Sequence, residues 1–202
     1  AEDLRTYKAK LREPVKGTYR GWDIVSAAPP TGGGTHLVEL LNIVETFDVK
    51  GLGRGSARLL HVLAEAMKMT FADKAANSGD PDSFILPVAT FTDKAYARTL
   101  AARIREGQAR FDYAPPSLTV PERESTSHLS VADERGNVVA LTQSINSFFG
   151  SGIVVPGTGV LFNNHLADFD DAPGGPNAIG PGRRPASSIA PTVVLRDGKP
   201  VL

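Results

Sequence analysis

Residues 125–147 constrain the fold more than any other stretch. From Ser125 to Asp133 the chain alternates: Leu129 and Val131 fall on one face of an extended chain, His128 and Ser130 on the other. That is the period-two pattern of a half-buried strand. Glu134-Arg135-Gly136-Asn137 turns the chain, and Val138 to Asn146 supplies a second strand, so the two are predicted to close as a β-hairpin. Thr126 stands at the head of the first strand, after a polar loop rich in charge. A chain cut between Ser125 and Thr126 would carry a threonine beside its own free amine. The amine can take the hydroxyl proton, so such a threonine is an activated nucleophile without any neighbouring histidine. Taken alone, the ordinary reading of Thr126 is a strand-leading threonine.

The chain before the hairpin reads as helices and proline-rich connections. Ala1 to Lys16 opens on an acidic turn, alternates weakly over Tyr7–Leu11 and reaches Pro14; Gly17–Gly21 reads as a turn and Trp22–Ala28 as a short strand. The run Pro29-Pro30-Thr31-Gly32-Gly33-Gly34-Thr35 lacks the lysine and the spacing of a phosphate-binding loop, and reads as a close-packed lead-in to a helix. That helix is predicted over His36–Phe47, from Leu37, Leu40, Leu41, Val44 and Phe47. Ser56 is placed to cap a longer helix to about Ala76, with Leu59, Leu60, Leu63, Met67 and Phe71 as its inward stripe. His61 reads as part of that helix's surface. Thr92 or Asp93 caps a third helix to about Glu106, with Ala95, Tyr96, Leu100 and Ile104 inward. Gln108–Glu124, with three prolines and no period, reads as a long exposed segment of the kind that carries function or is cut.

After the hairpin come strand candidates Ile153–Val155 and Val160–Asn164 around a Pro156–Gly159 turn, and a Gly/Pro-rich loop carrying Asp168, Asp170 and Asp171. Pro191–Leu195 reads as a strand, Arg196–Lys199 as a hairpin turn, and Pro200 as the start of a return strand whose truncation suggests a longer natural chain. The 202 residues suffice for one sizeable core, or for one domain and part of another. Charge balances at 22 basic against 22 acidic residues with no basic stripe, which argues against nucleic acid or an anionic membrane surface as partner. Absence of cysteine excludes disulfides and thiolate chemistry, and no apolar run has the length of a membrane span. The acids of Gly79-Asp80-Pro81-Asp82 lack calcium-loop spacing, so neither a metal nor a cofactor is expected.

Several blocks together resemble the γ-glutamyltranspeptidase family of the N-terminal-nucleophile hydrolase superfamily. They are Pro29-Pro30-Thr31-Gly32-Gly33, Leu41-Asn42-Ile43, Phe71-Ala72-Asp73 through Gly79-Asp80-Pro81, Thr126-Ser127-His128, Gly136-Asn137, Ile145-Asn146, Phe149-Gly150-Ser151-Gly152, Asn163-Asn164, Asp168-Phe169 and Arg184–Ser188. The resemblance implies an α+β fold, an αββα sandwich that is incomplete in this chain. It also implies a division into residues 1–125, the mostly helical C-terminal part of a large subunit, and 126–202, the β-rich N-terminal part of a small subunit. The two subunits of one precursor form a heterodimer after self-cleavage at Ser125–Thr126. Thr126 would then be the nucleophile for γ-glutamyl donors such as glutathione, with water, an amino acid or a peptide as acceptor. By the same resemblance Ser144 hydrogen-bonds the nucleophile, Asn146, His165 and Asp168 meet the donor's α-amino group, and Ser187 and Ser188 hold its α-carboxylate. A periplasmic or secreted location is the family expectation.

The chain departs from the family pattern in places. Ser144 stands where the family usually has threonine, and His165 where it often has glutamine. The arginine that clamps the α-carboxylate falls upstream of Ala1 and the oxyanion glycines beyond Leu202, so the 202 residues alone are expected to turn over little. His128 shares a face with Thr126 and is read as structural. Two rivals stay open: an amide hydrolase on the same scaffold, acting on glutaryl β-lactams or poly-γ-glutamate, and an inactive fragment that serves only as a structural module.

Overall fold

The computed structural model describes residues 2–112 and 124–201; the stretch 113–123 of the expected long segment lies outside them. A short helix α1 (Glu2–Thr6) leads through irregular chain to the strands β1 (Val15–Tyr19) and β2 (Trp22–Ser26). The turn expected over Gly17–Gly21 is in fact two residues long. Only Arg20 and Gly21, at φ 50° and 82°, turn the chain, the left-handed pair a tight hairpin demands. Gly17 is a strand residue whose missing side chain has another cause: a Cβ there would come within 2.4 Å of Val38 Cγ1.

The helices α2 (Gly33–Glu45), α3 (Val49–Leu52), α4 (Ala57–Asn77), α5 (Val88–Phe91) and α6 (Lys94–Ala101) follow. Ser56 caps α4 as expected, its Oγ accepting from the Leu59 amide at 3.1 Å, and Asp93 caps α6 by accepting from Ala95 at 2.6 Å. The third helix ends short of Glu106. The backbone amides of Arg103 and Ile104 donate to carbonyls three residues back, so the last turn tightens and leaves the helix axis.

The inward stripe of α4 also differs from expectation. Leu63 packs against the core as expected, but Val62, Glu65, Ala66, Met69 and Thr70 are the buried set, whereas Leu60, Met67 and Phe71 are exposed. Both sets recur at helical spacing, and the packing chooses the one whose small Ala66 admits α2 and α6. Ile43 and Val44 of α2, Ala66 and Met69 of α4, and Ala97, Leu100 and Ala101 of α6 form this main core. The opposite side of α2 presents Val38 to Val15 and Ile24 of the hairpin, a second core. Helix α2 is thus shared between helix packing and sheet packing.

Beyond residue 123 come β3 (Glu124–Ala132) and β4 (Val138–Ser147), an antiparallel pair in the register Leu129↔Leu141 and Val131↔Val139. Here the half-buried expectation fails: Leu129, Val131, Val139 and Leu141 are 46%, 57%, 56% and 47% exposed. The candidates over 153–155 and 160–164 reduce to one isolated bridge, Val154↔Leu161, around the expected turn. Last come β5 (Thr192–Arg196) and β6 (Lys199–Pro200). The sheet order β1-β2-β5-β6 is antiparallel throughout, and the β2–β5 pairing joins the first part of the chain to the last. Ser26 Oγ and Thr192 Oγ1 seal that junction at 2.9 Å.

Candidate active site

Thr126 and Ser144 face each other across the β3–β4 ladder, and Thr126 Oγ1 donates to Ser144 Oγ at 3.0 Å. The register slips between Glu124↔Ser147 and Thr126↔Ser144, so the Ser125–Thr126 bond lies where β4 takes one residue more than β3. The extra residue is accommodated at Asn146, which holds φ 70°, a left-handed backbone that asparagine tolerates better than most residues. Its amide turns back to donate to Ser144 Oγ at 2.9 Å.

The bulge aims the Asn146 side chain at Asp168. Asn146 Nδ2 donates to Asp168 Oδ1 at 2.8 Å, which leaves the amide oxygen of Asn146 as an acceptor. His165 Nδ1 meets the other carboxylate oxygen, Oδ2, at 2.9 Å. His165 Nε2 lies 3.2 Å from the Ser144 carbonyl oxygen. Asn164 pins this turn to the end of β4: its Oδ1 accepts from the Ser147 amide at 2.9 Å and its Nδ2 donates to Ser147 Oγ at 2.8 Å.

Ser187 and Ser188 reach the same place by another route. Gly33 has no room for a side chain because their backbone lies against it: a Cβ there would stand 2.3 Å from the Ile189 carbonyl oxygen and 2.5 Å from that of Ser188. The Gly32 amide donates to the Ser187 carbonyl at 2.9 Å, and Thr31 Oγ1 donates to the Ile189 carbonyl at 2.5 Å. Lys74, on α4, donates from Nζ to Ser188 Oγ at 2.8 Å. Asn177 ties the two walls together, donating to the Asp168 carbonyl at 2.7 Å while accepting from the Ala186 amide at 2.8 Å.

A cavity of about 690 Å³ results, within the range that holds small ligands. Thr126, Ser144, Asn146, His165, Asp168, Ser187 and Ser188 all line it, so the seven residues expected to serve catalysis and donor binding come together. Lys74 and Asn177 also line it and were not legible as site residues; the only signal was their position inside or beside conspicuous sequence blocks. His128 lies elsewhere on the strand, with Nδ1 2.7 Å from Thr142 Oγ1 and Nε2 3.0 Å from Ser130 Oγ. Among the described residues no group of three or more metal-ligating side chains is gathered, and no helix is long and apolar enough to cross a membrane.

A second polar cluster lies in the helical core. Glu39 is fully buried, and burial, together with the neighbouring Asp73 carboxylate, raises its pKa to about 9. His36 Nδ1 sits 2.6 Å from Glu39 Oε2, and burial lowers its pKa to about 4. Tyr96 donates to Asp73 Oδ2 at 2.7 Å. At neutral pH Glu39 therefore keeps its proton and His36 is uncharged.

The family model for gamma-glutamyltranspeptidase matches residues 1–202. Among curated proteins, the chain is 43% identical to the glutathione hydrolase proenzyme of Escherichia coli (strain K12), over 98% of this chain and 36% of that one. It is 44% identical to the acylase ACY 1 proenzyme of Pseudomonas sp. (strain SE83), over 98% of this chain and 35% of the relative. The crystal structure of cephalosporin acylase from Bacillus halodurans superposes with a TM-score of 0.81 at 29% identity, over 99% of this chain and 35% of that one. The chain thus spans a little over a third of the length of the relatives it matches. A mixed helix-and-strand fold shared with these proteins, and a family match that runs from end to end, make this chain a member of the gamma-glutamyltranspeptidase family.

Proposed function

We propose that the protein transfers or hydrolyses γ-glutamyl groups of glutathione-like donors through a γ-glutamyl-Thr126 ester, after cleaving itself at Ser125–Thr126. The observation that carries this reading is the Thr126–Ser144 hydroxyl pair, 3.0 Å apart, on the wall of a cavity that holds Asp168 and Asn146 on one side and Ser187 and Ser188 on another. Maturation begins when Thr126 Oγ attacks the Ser125 carbonyl carbon and the peptide bond to the Thr126 nitrogen breaks, leaving an ester. Water opens the ester, giving a Ser125 carboxylate and a free Thr126 amine. In turnover that amine accepts the hydroxyl proton while Oγ attacks the donor's γ-carbonyl carbon. The proton passes to the departing amine, and water or an acceptor amine takes the acyl group from Oγ.

The donor's own charges match the walls. An ammonium suits the Asp168 carboxylate and the accepting Asn146 oxygen, and a carboxylate suits the hydroxyl donors of Ser187 and Ser188. Residues 1–125 and 126–202 are then parts of the large and small subunits, held after cleavage by the β2–β5 pairing, and the two sheets are those of an αββα sandwich. A periplasmic or secreted site of action goes with this reading. A second reading, acylase action on glutaryl amides, is favoured by one observation: His165 already partners Asp168, at 2.9 Å, where a substrate ammonium would otherwise sit. Intact mass of the purified full-length protein, followed by assay with γ-glutamyl-p-nitroanilide and glutaryl-p-nitroanilide, tests both. Two chains parting at Ser125–Thr126 and faster turnover of the γ-glutamyl donor support the first reading. An unprocessed, inactive protein overturns it.

A further inference from the structure

The part of the cavity wall that carries Ser188 is organised by a residue outside the seven. Lys74 stands on α4, and its stem passes Gly32, where a Cβ would come within 3.2 Å of Lys74 Cγ. Its ammonium lies 5.8 Å from the centre of the Phe71 ring and 2.8 Å from Ser188 Oγ. An ammonium has donors only, so in this contact the serine oxygen must accept. The proton of Ser188 is thereby freed to point elsewhere, and Ser188 lines the cavity. Among the described residues that line the cavity Lys74 is the only lysine or arginine, and Asp168, Asp170 and Asp171 are its acidic members.

We propose that Lys74 is a positioning and specificity residue of this site: it fixes Ser188 as a donor into the cavity and adds a positive charge there, selecting donors that carry a carboxylate beside the chain to be transferred. The inference rests on the acyl-transfer reading above. Hydroxyl donors alone recognise any acceptor; a hydroxyl polarised by a cation favours an anionic one, since charge-assisted hydrogen bonds are about twice as strong as neutral ones. A lysine that only held α4 in place would show no preference among donors.

The test uses the processed full-length protein and three p-nitroanilides. γ-Glutamyl carries both charges, glutaryl keeps the carboxylate but lacks the ammonium, and 4-aminobutyryl keeps the ammonium but lacks the carboxylate. Lys74→Gln should raise KM about tenfold or more for the two carboxylate donors, with kcat nearly unchanged and the 4-aminobutyryl donor little affected. Lys74→Arg should restore most of the loss. Ser188→Ala should show the same donor preference, and the double variant should lose less than the product of the two single losses. Because Ser188→Ala leaves α4 intact, the comparison survives even where Lys74→Gln folds poorly. Equal losses for all three donors, or none, overturn the role of Lys74 while leaving the acyl-transfer reading standing. A wild-type protein that turns over none of the three sinks that reading, and this inference with it.

Discussion

The α2–α4–α6 interior and the β3–β4 hairpin are written in equally clear periods, yet they spend their side chains differently. The helical interior buries the side chains at its centre: Ile43 and Ala66 are 0% exposed and Met69 2%. Even its charged groups are desolvated, with Glu39 holding a proton and His36 kept neutral. In the hairpin the apolar ladder Leu129–Leu141 and Val131–Val139 is open, and the opposite face carries the hydroxyls of Thr126 and Ser144. One region stores stability and the other presents chemistry, so substitutions in the two should separate cleanly into stability effects and rate effects.

The sharpest break of that comparison is Thr126→Ala in the full-length protein. Self-cleavage and turnover should both vanish, with turnover down by at least about four orders of magnitude, because one oxygen serves both reactions. The melting temperature should hardly move, since Thr126 is exposed. Efficient processing of the variant on a denaturing gel would remove Thr126 from the chemistry. Thr126→Ser should keep part of each activity.

Asp168→Asn comes next. Both carboxylate oxygens are engaged, by Asn146 and His165, and the charge is proposed to meet the donor's ammonium. Donor binding should weaken by about 2–5 kcal/mol, the usual cost of removing one partner from a hydrogen-bonded charge pair. Self-cleavage should proceed. An unchanged KM for γ-glutamyl-p-nitroanilide would take Asp168 out of the donor site.

The mirror image lies in the helices. Ile43→Ala should lower unfolding free energy by about 2–5 kcal/mol through the cavity it leaves, while the folded fraction keeps its KM. A change in KM without loss of stability would mean that the interior and the site are not separable.

Legibility followed the same divide. The caps at Ser56 and Asp93 and the hairpin turn at Glu134–Asn137 could be read from the sequence, because each depends on a few neighbouring residues. Strand β1 could not, since Gly17 reads as a breaker until Val38 is seen packed against it. Nor could the buried face of α4, where two apolar stripes compete and only the neighbours α2 and α6 decide. The seven site residues were legible through resemblance, whereas Lys74 and Asn177 act through contacts 114 and 9 residues away along the chain. Local periodicity carries no trace of such contacts.

The smallest expected effect tests the interior through its protons. Glu39 titrates near 9 in the folded protein against 4.5 as its ordinary value, so the folded state holds the extra proton between those limits, and this contribution to stability is lost as pH rises through about 9. His36 works in the opposite sense: lowered to about 4 from 6.5, it contributes stability above pH 6.5 that is lost as pH falls through about 4. Between pH 4.5 and 6.5 the two slopes oppose each other and largely cancel. Above 6.5 the Glu39 slope alone remains, with a limit of about 1.4 kcal/mol per pH unit for one proton. Urea unfolding at intervals from pH 6.5 to 8.5 should therefore show falling stability, by about 1–3 kcal/mol in all. Glu39→Gln keeps the shape of the protonated acid without its titration, so it should flatten that slope and be more stable than the parent at pH 6.5 and above, because no proton has to be taken up on folding. A variant that retains the full slope would assign the alkaline loss to another group, and the buried proton on Glu39 would then have no part in what separates the interior from the hairpin.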